Sequence, residues 1–284
     1  MNIYNLDKSD DTDINGVILK ANMASLGNIA TYIRIVDTGT PTIADLSNLF
    51  VNTSVVRNID LSDFATNNVT NLQMAFKNCT SLDTVSNFNT SNVTNMVQTF
   101  TYCYNLVNVP NLDTSNVVNM RSMFFNCTNL TTVPNFDIRS VNNITQLFYH
   151  CDNLVDVPNL DMSTVNNASS MFAFCNSITV IPNFNTINTV NMANMFYSCQ
   201  NLTDVPQFST SNTNCMAGMF THCNNLSDAS IQNIINMCLN SNVVWYGYKN
   251  LNTTAINSPL YNTKFNSTYY SNRLTELNSA GWRY

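Results

Sequence analysis

The chain has 284 residues, with 11 Lys and Arg against 17 Asp and Glu and a formal net charge of −6. Only 10% of residues are charged while 44% are hydrophobic, so polarity is carried by neutral side chains: 52 residues are Asn, and Glu276 is the one glutamate. So few basic residues under a negative balance exclude a counterion-releasing groove for nucleic acid, and no apolar run reaches the roughly 20 residues of a membrane-spanning helix, which predicts no membrane insertion.

Residues 1–42 begin with Met1 to Asp11, which has neither the basic start nor the apolar centre of a secretory signal. The expectation is a chain without a signal peptide. The stretch around Gly16, Val17, Ile18 and Leu19 reads as an N-terminal cap or an attachment segment.

Residues 43–226 are governed by a repeat. Phe76, Phe100, Phe124, Phe148, Phe172, Phe196 and Phe220 recur every 24 residues, and a Cys follows each by three, from Cys79 to Cys223. A Leu or Ile stands three beyond each Cys, then a Val or Ile three further, usually followed by Pro: Pro110, Pro134, Pro158, Pro182 and Pro206. A degraded copy at Ile43, Leu46, Leu49 and Phe50, offset by 26 residues, brings the count to about eight units. Coincident columns at one period exclude a disordered Asn-rich tract.

Within a unit, Val93, Met96, Thr99 and Phe100 have i, i+3, i+6, i+7 spacing behind Thr90 and Ser91, which predicts a short helical segment with an N-cap. Leu106, Val109 and Leu112, limited by Pro110, predict a short strand and its exit. Such a unit is too small to bury its own apolar face and must stack on its neighbours. The fold class expected is α/β, a right-handed solenoid.

The unit from Asn116 to Phe136, with Met123-Phe124, Cys127, Leu130 and Val133-Pro134 recurring together, resembles the bacterial surface protein repeat of about 26 residues, the BspA-like leucine-rich-repeat class. The resemblance spans about two thirds of the chain. It implies a leucine-rich-repeat solenoid used for adhesion or host contact, without chemistry of its own.

Residues 227–284 leave the repeat. Ser227 and Asp228 are placed to cap a helix through Ile231, Ile234, Ile235 and Leu239. Trp245-Tyr246-Gly247-Tyr248 follows, then Leu274, Leu277 and Trp282, and the whole reads as a C-terminal cap over the last unit. The closing Leu277 to Trp282 resembles the ends of repeat proteins encoded in phages and prophages.

Candidate chemistry is sparse. Stacked cysteines lie near the strand spacing of about 4.8 Å, beyond disulfide reach, so the column is expected as buried free thiols. Cysteines 24 apart with no paired His offer no zinc site, and no cofactor or metal is expected. His150 and His222 share one column; His150 directly precedes Cys151 and Asp152, but adjacent residues face apart, so a nucleophile and base pair is not expected. Asp113, Asp137 and Asp161 form a column better suited to capping than to paired acid catalysis.

One pattern points outward. Near the Phe and Cys columns stand Tyr102, Tyr104, Phe125, Tyr149, His150, Phe174, Tyr197 and His222. Aromatic side chains repeated on one face suit stacking on sugars or anchoring a protein, or else they pack between units. The function expected is a non-enzymatic binding or structural protein: a phage virion component on capsid or tail, touching other virion proteins or a host-surface protein or glycan. The alternative is a bacterial cell-surface adhesin. The absent export signal favours the virion, whose proteins assemble before lysis.

Overall fold

The computed structural model describes residues 2–4, 14–15, 28–36, 44–243 and 275–282. Gly16 to Leu19, Ile43, Trp245 to Tyr248 and Leu274, singled out above, lie outside them.

Five strands make one sheet: β1 (Asn2–Tyr4), β2 (Ile14–Asn15), β3 (Tyr32–Val36), β4 (Asn58–Asp60) and β5 (Thr84–Val85), in the order β2-β1-β3-β4-β5. β1 runs antiparallel to β2 and β3, whereas β3, β4 and β5 are parallel, with Ile33 beside Ile59 and Ile59 beside Val85. The sheet stops at β5 for a reason written in the next repeats. Ser86 N–H donates to the Ile59 carbonyl at 2.9 Å, and the residues in its place further on are Pro110, Pro134, Pro158, Pro182 and Pro206, which have no N–H to give. The strand expected over Leu106 to Leu112 is therefore not formed. Past β5, this column keeps one bridge among the described residues, Val180 with Asp204.

A second, continuous ladder of parallel bridges joins Asp45, Asn71, Asn95, Asn119, Asn143, Asn167, Asn191 and Cys215. Each Asn side chain accepts the amide two residues on, as Asn95 Oδ1 does from Val97 and Asn143 Oδ1 from Thr145, both at 3.0 Å. This Asx turn delivers the chain into a run of reverse turns.

Here the expected helix, and with it the α/β class, is corrected. Through residues 96–103 the amides alternate. Those of Met96, Gln98, Phe100 and Tyr102 donate to carbonyls of Asn119, Arg121, Met123 and Phe125 in the next rung. Those of Thr99, Thr101 and Cys103 close turns onto carbonyls three residues back. A helix would keep every amide within its own segment; here half of them hold rung to rung. The third residue of two of these turns has φ near +60°, as at Gln98 (57°) and Tyr102 (63°), which is the geometry of a type II turn. Turns of four residues bury nearly the same positions as a helical period, which is why the spacing of apolar residues does not separate them. The helix that forms among the described residues beyond the repeats is α1 (Asp228–Leu239), with a further helical turn over 275–279.

The interior is built from columns. Eight phenylalanines, Phe50 to Phe220, lie ring over ring at centroid separations of 5.0 to 5.6 Å. Beside them each column thiol donates to the Phe carbonyl of the preceding rung at 3.0 to 3.2 Å, as Cys127 does to Phe100. All nine cysteines are free. In the rung of Phe50 the place of Cys is taken by Thr53, whose hydroxyl donates to Cys79 Sγ at 3.0 Å. A small side chain with one donor and a buried acceptor within reach, a Phe carbonyl for each thiol and the Cys79 sulfur for Thr53, is what the site selects.

α1 continues this core. Ser227 Oγ accepts the Ser230 amide at 3.3 Å, and Ile231, Ile234, Ile235, Met237 and Cys238 are buried. Thr210 Oγ1 donates to Met237 O at 2.6 Å and Ser230 Oγ accepts from Val205 N at 2.8 Å, tying the helix to the rung before it. Leu277 and Trp282 join the same buried cluster.

Candidate functional site

The eight outward aromatic and His residues form one connected strip. They come from two columns, with Tyr104 standing beside the first rung of the strip. One column runs Thr101, Phe125, Tyr149, Ala173, Tyr197 and Thr221; the other, one residue later, runs Tyr102, Asn126, His150, Phe174, Ser198 and His222. Tyr102 touches Tyr104 (6.0 Å between centroids) and meets Phe125 edge on at 5.4 Å. Phe125 stacks on Tyr149 at 4.6 Å and 2°, and His150 stacks on Phe174 at 4.4 Å and 0°. Phe174 leans on both Tyr149 and Tyr197, at 5.4 and 5.2 Å, and His222 closes the series at 5.4 Å from Tyr197. Seven of the eight are half-buried, and Tyr104 is 39% exposed. The rings thus pack on neighbouring rungs and still present part of themselves to solvent.

The second column carries backbone strain. Tyr102, His150, Phe174 and His222 all sit at φ between 56° and 64°, a region that suits Gly and Asn and costs a bulky residue about 1–3 kcal/mol. Asn52, Asn78 and Asn126 occupy the same turn position elsewhere.

The arrangements that would support catalysis are taken apart by the fold. Cys151 is fully buried with its thiol bonded to Phe124 O at 3.2 Å, and burial, with Cys175 and Cys127 next, pushes that thiol well above its usual range. His150 is on the outer strip, with Nδ1 at 3.4 Å from Asp152 Oδ2. A base and a nucleophile that face opposite ways share no substrate. Asp113, Asp137 and Asp161 each accept the backbone amide two residues on, capping turns rather than helices. The Arg139 side chain bonded to Asp137 holds its carboxyl at about 2, and hydrogen bonds from Ser115 lower Asp113. Carboxylates held ionised in this way are poor proton donors. Among the described residues no three His, Cys, Asp or Glu are grouped to hold a metal.

A recess opens beside the strip. It has a volume of about 320 Å³ and is lined by Ala173, by the rings of Tyr149, Phe174 and Tyr197, and by the polar side chains of Gln146, Ser170 and Asn194. Ala173 is the small residue between two tyrosines in its column, and its missing ring makes the space. Gln146, Ser170 and Asn194 belong to the other column of positive-φ turn residues, with Gly218 one rung beyond. A side chain at Gly218 would run into the Asn194 carboxamide, so glycine there leaves Asn194 its position. The aromatic pattern in the sequence pointed to the strip but not to these four residues. The signal available was the interruption of the column Phe125, Tyr149, Tyr197 by Ala173.

Stacked turn rungs around one continuous core, with a separate aromatic strip outside, define a repeat protein. The chain belongs to the family described as "Mycoplasma protein of unknown function, DUF285", whose model matches residues 44–155, 75–181 and 142–263. Similar solved structures include a leucine-rich-repeat protein of T. pallidum, 20% identical over 73% of this chain and 89% of that one, with a TM-score of 0.44. A leucine-rich-repeat protein from Bacteroides ovatus is 16% identical over 77% of this chain and 70% of that one, with a TM-score of 0.32. No curated protein matches the chain.

Proposed function

We propose that the protein is a non-enzymatic recognition element that docks a partner on its outer aromatic strip. The observation that carries this reading is the unbroken ring-to-ring contact from Tyr102 to His222, half-exposed and partly held in a strained backbone. Flat, rigid rings lose little conformational entropy on binding and dominate recognition surfaces. In this reading the coil is right-handed, as crossovers between parallel strands are. It counts about eight units, with α1 as its C-terminal cap. The BspA-like character of the repeat supports contact with a host surface. We place the protein on a phage virion, where its partners are other virion proteins or a host-surface protein or glycan. Display on a bacterial cell surface is the second reading, and the family's description as a Mycoplasma protein favours it.

Two measurements test this. Mass spectrometry of purified virions and of surface-shaved cells locates the protein; detection in the cell envelope alone removes the virion. Replacing Tyr102, Tyr149 and Tyr197 together by Ala is expected to abolish retention on intact host cells. Unchanged retention with lowered stability would assign the rings to packing alone.

A further inference from the structure

The recess over Ala173 has the composition of a sugar site. Adjacent rungs are about 4.8 Å apart, so Tyr149 and Tyr197, two rungs apart in one column, stand about 9.6 Å apart. Phe174 reaches between them from the neighbouring column, 5.4 and 5.2 Å from the two tyrosines and inclined at 67° and 60° to them, and the recess is the space its ring leaves open beside Ala173. The remaining volume of about 320 Å³ is at the lower end of ligand pockets, roughly 300–1,000 Å³, enough for one six-membered ring and its substituents.

The rest of the lining is polar and uncharged. Gln146 accepts the Ser122 hydroxyl on Oε1 at 3.3 Å, which leaves its amide hydrogens to donate. Ser170 adds a hydroxyl, and Asn194 a carboxamide that Gly218 leaves room for. Flat apolar walls together with neutral donors and acceptors match a pyranose, which has apolar C–H faces and a rim of hydroxyls. An apolar peptide anchor would bury these three polar groups without partners, at a cost of about 1–3 kcal/mol each. Nothing in the lining would neutralise a carboxylate, and the chain's charge of −6 opposes an acidic sugar.

The geometry points to a subsite for a single neutral pyranose, a hexose or N-acetylhexosamine at the end of a glycan. This deepens the proposed function and rests on it: the strip supplies the contact face, and the recess selects the terminal sugar.

The test uses the full chain on an array of neutral and sialylated oligosaccharides, followed by saturation-transfer NMR with free galactose, glucose, mannose, N-acetylglucosamine and N-acetylgalactosamine. At least one neutral sugar is expected to bind, with a dissociation constant on the order of 1 mM. Ala173→Tyr, which completes the tyrosine column, is expected to weaken it at least about tenfold. Should that variant not fold, Ser170→Ala reads the same site with an expected loss of about threefold or more. Val155→Ala, exposed and outside both the strip and the recess, should leave monosaccharide binding within about twofold. Retention of sialylated glycans alone overturns the proposal. So does a sugar that Ala173→Tyr or Ser170→Ala binds as tightly as the parent. If no sugar binds but the triple tyrosine variant still loses host cells, the recess falls and the strip reading stands; if that variant also has no effect, both fall.

Discussion

The molecule carries two aromatic columns that differ in order. Inside, the rings from Phe50 to Phe220 lie within 15° of parallel at every step. Outside, the contacts from Tyr102 to His222 range from coplanar stacks at 0° and 2° to edges at 84° and 86°. Each inner ring meets the same surroundings one rung after another, a Cys, a Leu and the next Phe, so the same residue adopts the same pose. The outer rings meet solvent on one side and come from two offset columns of mixed composition. Regularity marks where neighbouring rungs constrain each other, and irregularity marks where they leave the chain free to vary.

The largest expected difference between the two regions is in alkali. Burial raises the thiols of Cys103, Cys127, Cys151, Cys175, Cys199, Cys223 and Cys238, with Cys223 pushed up to about 12. Because the folded state holds these protons more tightly, their stabilisation is complete below the unfolded-chain value of about 8.5 and is lost as pH rises from there toward the folded-state values. Each contributes a slope of about 1.4 kcal/mol per pH unit in that window. Denaturant melts from pH 8 upward should show a steep loss, shallower when Cys127 and Cys151 are both changed to Ala. A flat profile would mean the thiols ionise in place. In the outer strip Tyr149, its phenol raised by burial, joins this dependence only above its ordinary value of about 10.

Next in size is an inner ring. Phe124→Ala should cost about 3–5 kcal/mol, and hydrogen exchange should rise in the adjoining rungs while distant ones stay protected. Uniform loss of protection would mean that the rungs unfold as one unit.

The smallest effect is expected outside. Phe174→Asn gives up three ring contacts, each about 0.5–1.5 kcal/mol, and relieves a positive φ of 64° at about 1–3 kcal/mol. The two nearly cancel, so stability should change by less than about 1 kcal/mol while retention on host cells falls. A loss as large as that of Phe124→Ala would make Phe174 part of the core and erase the distinction.

The inner columns were legible in the sequence because stacking repeats an environment and so repeats a residue. The strip was legible for the same reason, through Tyr102, Phe125, Tyr149, Phe174 and Tyr197. Three features were not. Val93, Met96, Thr99 and Phe100 read as a helix because a train of four-residue turns buries nearly the same positions. The recess is the absence of a ring at Ala173, visible only beside the rings that remain. Thr53 in the thiol column was hidden by chemistry: its hydroxyl donates to the Cys79 sulfur of the next rung, and the letters do not match.

The sequence by itself determined the 24-residue period and the residues that face inward; that the sheet ends where Pro110 and its successors lack the N–H that Ser86 donates became plain in the assembled ladder. Only the tertiary structure decided whether the amides of residues 96–103 close within their own segment or reach the next rung. That choice depends on carbonyls of Asn119, Arg121, Met123 and Phe125, which come within hydrogen-bonding distance once the coil is assembled and not before.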